Sequence, residues 1–174
     1  MNHALRVELL ERAGRNQAAR ESLKPAYDMQ QWEQIVEPVD QANTARLRQI
    51  VAEHGWPGHQ LVGAAAAHAA WLLAQHAPPD FQEECLPLLE DAIARGDSSP
   101  RDLAYLSDRV RRGQPQIYGT QYLVKGGVLT LWEVREPAGL DERRAVLGLE
   151  PEAQNRARLL AAEGHRDDRP AEHR

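Results

Sequence analysis

The sequence predicts a mostly α-helical (α+β) protein: a compact helical domain carrying one small antiparallel β-hairpin. Three observations lead there. Apolar residues recur at helical spacing from Ala4 to Val110, the pattern turns β-rich between Ile117 and Val134, and Pro or Gly stands at most of the joints. A length of 174 residues fits one domain, which at this size buries roughly 70% of its unfolded surface.

The first helical stretch, Ala4 to about Val36, has Leu5, Leu9 and Leu10, then Tyr27, Met29, Trp32 and Ile35. Pro25 removes a backbone donor and must split it, near 3–23 and 25–36. The next helix is opened by Asp40 as a cap, with Asn43 three residues on, and is closed by Gly55. Leu47, Ile50, Val51 and His54 make one face of it. Pro57 suits the entry to a central helix over about 58–77, whose alanines and Gly63 let neighbours approach closely. Pro78 and Pro79 end it. Asp80 then caps a helix that stops at Gly96, and Ser99 caps a fifth that turns Leu103, Leu106 and Val110 inward.

Beyond Gly113 the run "IYGTQYLV-KGG-VLTLWEV" reads as a hairpin over about 117–134. Asp141 opens a short helix closed by Gly148, and Pro151 opens a last one to about Glu163. Residues 1–36 read as a helical extension, 37–163 as the core domain, and 164–174 as a charged, disordered tail.

Bulk properties exclude several classes. With 42% hydrophobic and 27% charged residues the chain is globular and soluble. The apolar run Leu61 to Ala74 is broken by His68 and falls short of the ~20 residues of a membrane span. The start of the chain has no apolar signal region, and Cys85 has no partner for a disulfide, so a cytoplasmic protein is expected. A net charge of -5 argues against nucleic acid as a partner, and the arginine run Arg109, Arg111, Arg112 is too narrow to reverse that. His54 and His59 lack the other ligands of a metal site, and no phosphate loop, dinucleotide fingerprint or nucleophile elbow occurs. No metal and no cofactor are expected.

What remains are polar residues in apolar surroundings. His68 lies on one helical face with Leu61, Ala65, Leu72 and Gln75, either bonded to a neighbouring helix's carbonyl or serving a site. His76, at a helix C-terminus, is either a dipole-stabilised cation or an acid–base group. Asp108 either pairs with Arg112 on the surface or orients a histidine. In "QIYGTQ", read as a strand, Gly119 marks a bulge or a close approach. Gln116 and Gln121 offer donors and acceptors that suit a polar ligand, or a network fixing the hairpin.

Several of these segments recur together: Asp40 with Asn43, "GWP" at 55–57, "QH" at 75–76, "AYLSDRV" at 104–110, "QIYGTQ" at 116–121 and "DERRAVLGL" at 141–149. As a set they resemble an uncharacterised bacterial family of domains of unknown function, over about 40–149. The resemblance implies a compact helical domain and carries no activity.

The function expected from the residues is a small-molecule pocket, fitted to metal-independent hydrolysis or another acid–base reaction on a polar metabolite. His76 would be the acid–base group and Asp108 its orienter. Gln116, Tyr118, Thr120 and Gln121 would read the ligand, and Arg109 or Arg144 would meet a negative substrate group. The rival is a non-catalytic interaction module, with a homodimer or partner docked through the N-terminal helices.

Overall fold

The computed structural model describes residues 1–23, 27–163 and 166–167. It is mostly α-helical with a small antiparallel hairpin, and it divides into two units, Met1–Asp102 and Leu103–Arg174. The boundary between these compact units falls between Asp102 and Leu103.

The first unit holds α1 (His3–Glu21), α2 (Met29–Ile35), α3 (Glu37–His54), α4 (His59–Val62), α5 (Ala64–Gln75), α6 (Pro79–Ala94) and the start of α7 (Pro100–Val110). The helix expected at 58–77 is two helices. Gly63 breaks it at φ 81°, a left-handed conformation that glycine adopts without steric cost. Beyond the break, Ala66, Ala67, Ala69, Ala70 and Ala74 are all buried, so α5 forms the centre of this unit against α1, α3 and α6.

The N-terminal helix is part of that core. Leu5 and Leu9 are buried, and Glu8 accepts from Arg12 in its own helix and from Arg46 in α3. The Arg46 hydrogen bond holds the Glu8 carboxyl down at about 2. Removing residues 1–36 is thus expected to unfold the first unit, not to free a docking surface. Circular dichroism that finds the shortened chain as helical and as cooperative as the whole one would contradict this.

Three expected caps serve elsewhere. α3 starts at Glu37 because Pro38 suits a first turn, so Asp40 lies inside the helix and bonds to α1. α6 starts at Pro79 behind Pro78, and Asp80 in its first turn pairs with Arg48. Asp141 sits in the first turn of α8 (Leu140–Val146), and its Oδ1 accepts from the Glu152 N–H that opens α9 (Glu152–Glu163).

The second unit carries the rest of α7, then β1 (Tyr122–Lys125), β2 (Val128–Leu131), a 3-10 turn at Pro137–Gly139, α8, α9 and β3 (Arg166–Asp167). β1 and β2 pair antiparallel around Gly126–Gly127, with Tyr122 opposite Leu131 and Lys125 opposite Val128. β3 adds a short parallel strand, with Arg166 opposite Val128, so these two residues of the expected tail are ordered into the sheet. The rest of that tail, and Pro25 where the first stretch was to break, lie outside the described residues. Residues 117–121 are not strand: the hairpin begins five residues later than expected.

Candidate functional site

The reason that "QIYGTQ" is not a strand is Asp108. Its buried carboxylate lies at the end of α7 and collects the backbone N–H groups of Ile117 (2.7 Å), Tyr118 (3.1 Å) and Thr120 (3.0 Å). The Thr120 hydroxyl donates to it as well, at 2.9 Å. A strand exposes alternate N–H groups to opposite sides, so a loop that aims three of four at one carboxylate must curl.

The carbonyls of the same loop are held from the other end of the unit. Arg143 Nε donates to the Ile117 carbonyl at 2.9 Å. Arg144 Nη1 donates to those of Tyr118 (2.7 Å) and Gly119 (3.2 Å), and its Nε to that of Glu150 (2.7 Å). The Gly119–Thr120 peptide therefore bridges an anion and a cation, its N–H on Asp108 and its C=O on Arg144. Gly119 has φ 61°, and a Cβ there would stand 3.3 Å from Leu140 Cδ2. Both the backbone conformation and the space call for glycine.

Gln116, 1% exposed, is a second clamp. Its amide donates to the carbonyls of Gln121 and Trp132 at 3.0 Å each, and its Oε1 accepts from the Gln121 N–H at 2.7 Å. Beside these clamps lies a cavity of about 330 Å³, within the second unit, lined by Arg109, Arg111, Arg112, Gln114, Gln121 and Trp132 among others. Tyr122 also borders it. Burial pushes that phenol's pKa up, so it stays neutral, donating to Glu152 and accepting from Asn155.

Of the residues expected to form a site, the structure brings Asp108, Arg109, Gln116 and Gln121 to this cavity. Tyr118 and Thr120 belong to the clamped loop. Arg144 is fully buried on backbone carbonyls, a different setting from the substrate contact expected of it. Asp108 likewise orients a loop. His76 lies in the first unit, with Nδ1 2.7 Å from Asn16 Oδ1. Asn16 Nδ2 donates to Asp40 Oδ1 at 2.7 Å, and Arg20 donates to Asp40 Oδ2 at 2.8 Å. Because the Asn16 amide nitrogen faces a carboxylate that can only accept, its oxygen is the acceptor and His76 Nδ1 carries the proton. The residue that orients His76 is thus Asn16, from the helix taken as an extension.

A carboxylate–histidine pair is formed within the first unit by Asp102 and His68. His68 Nδ1 is 3.1 Å from Asp102 Oδ1 and its ring stacks on Trp71, whose Nε1 donates to the Asp102 carbonyl. The hydrogen bond to Asp102 raises the imidazole pKa above its ordinary 6.5, with Arg101 opposing. Stability from this pair is present in full below about pH 6.5 and is lost as pH rises through the higher folded value. NMR titration should find the His68 midpoint above 6.5 and shifted down by Asp102→Asn; a midpoint at or below 6.5 would refute the pairing. Sequence spacing had no means to join positions 34 residues apart. The arginine run was visible, but only the fold shows that it lines a concavity.

Cys85 is buried, and burial pushes its thiol up to about 12, which leaves it unreactive. Among the described residues no group of three His, Cys, Asp or Glu is placed to hold a metal, and no helix is long and apolar enough to cross a membrane. The chain matches a family of unknown function over residues 3–166, a span that takes in α1 as well as the segments of 40–149. No curated protein and no solved structure matches it.

Proposed function

Because the chain belongs to DUF6624, a family of unknown function, no activity comes to it by kinship, and we propose from its own geometry that the cavity beside α7 binds a small anionic molecule. The observation that carries this is charge. Three guanidiniums line the cavity against a single carboxylate, that of Asp108, whose two oxygens are already engaged by the loop. The protein as a whole has a net charge of -5, so this is a local reversal of sign inside a concave space, where fields concentrate. Arg112 has no partner among the described residues, and Arg111 uses only Nε, on the Pro115 carbonyl. Planar guanidiniums suit phosphate or carboxylate.

Binding is the better supported half of the pocket reading. A hydrolytic or other proton-transfer step would need a free acid–base group at the cavity, and the carboxylate there, Asp108, spends both oxygens on the loop. Bacterial origin and a cytoplasmic location belong to the same reading. The interaction-module alternative draws on the exposed side chains Val7, Leu10 and Met29 of α1 and α2.

Inorganic pyrophosphate at about 100 times its dissociation constant should stabilise the protein by roughly 2.7 kcal/mol, a rise of several degrees in melting temperature. The double variant Arg111→Gln with Arg112→Gln should lose that rise. A rise no larger than sodium chloride gives at equal ionic strength would sink the reading.

A further inference from the structure

The cavity is larger and more varied than an inorganic anion requires. At about 330 Å³ it falls at the lower end of the ~300–1,000 Å³ range of sites for organic ligands. Its charged side is the arginine group. Elsewhere its lining is aromatic and amide: Trp132, Tyr122, Gln114 and Gln121.

The backbones of two of these residues are held in place. Trp132 N–H donates to the Gln121 carbonyl, and the buried Gln116 amide fixes both carbonyls and the Gln121 N–H. The positions of Gln121 and Trp132 are thereby set without using the indole. Trp132 stays 42% exposed, and its Nε1 has no partner among the described residues. Gln121 donates a side-chain N–H to Thr120 Oγ1, and among the described residues its Oε1 is an open acceptor and the Gln114 side chain has no partner. Leaving a large aromatic face in water on a rigid backbone costs apolar burial that a flat ligand would recover. The open donor on Trp132 and the acceptor on Gln121 are of the kind that reads the edge of a ring.

We infer that the molecule bound here carries a planar heteroaromatic ring together with its anionic group, the chemical class of the nucleoside diphosphates. The ring lies on Trp132, the anion on the arginines, and the glutamines address the ring's polar edge. This rests on the anion reading above and adds the second half of the ligand to it.

Titration calorimetry of the full chain with pyrophosphate and with ADP, both without magnesium, separates the two. ADP should bind at least tenfold more tightly than pyrophosphate. Trp132→Leu should cut that preference below threefold, and Trp132→Phe, which keeps a ring, should retain most of it. Equal affinities in the unsubstituted protein would overturn the ring and leave the anion standing. A preference that survives Trp132→Leu would also overturn it. If neither compound binds, both readings fall.

Discussion

Asp108→Ala is expected to lower stability by about 4 kcal/mol, since the buried Thr120 N–H and hydroxyl and the half-buried N–H groups of Ile117 and Tyr118 lose their acceptor together. At this chain length 1 kcal/mol moves the melting temperature by roughly 2–4 °C, so a fall of about 10 °C should appear by calorimetry. Asp108→Asn keeps one acceptor oxygen but turns an NH₂ towards donors, and should lose about half as much. The alternative expectation, in which Asp108 serves only to orient a histidine, gives another outcome: melting unchanged in both variants. The size of the fall therefore decides what this carboxylate does.

The second large effect is expected at Arg144. Its fork reaches the Glu150 carbonyl with Nε and the Tyr118 and Gly119 carbonyls with Nη1. A lysine has one nitrogen and cannot span both targets, so Arg144→Lys should cost about 3 kcal/mol despite keeping the charge. Because one peptide joins Arg144 to Asp108, the two substitutions should not add. A double-mutant cycle by urea unfolding is expected to return a coupling of about 1–2 kcal/mol. Simple additivity within about 0.3 kcal/mol would show that the loop does not connect them.

Much of the fold was legible because it depends on local rules. Helical periodicity located α1, α3, α5, α6 and α7, and the Gly-Gly turn located the hairpin. The misreadings share a cause. Asp40, Asp80 and Asp141 each stand where a capping residue belongs, yet each is used inside a first turn by a partner in another helix, which no local pattern reports. The same holds at 117–121: the β-rich run before the Gly-Gly turn suggested a strand, and a carboxylate nine residues upstream of the loop's first N–H overrode it. The polar residues of that loop stood out in the sequence. Their main use is to hold the backbone, and the arginine run set aside as too narrow supplies most of the cavity's charge.

The loop from Ile117 to Thr120 is gripped almost wholly by its peptide groups, with carboxylate on one side and guanidiniums on the other. Its contour accordingly makes little call on the side chain at position 117. A library randomised at that codon should yield mostly folded variants, so that the surface chemistry there is open to retuning while the scaffold beneath stays the same.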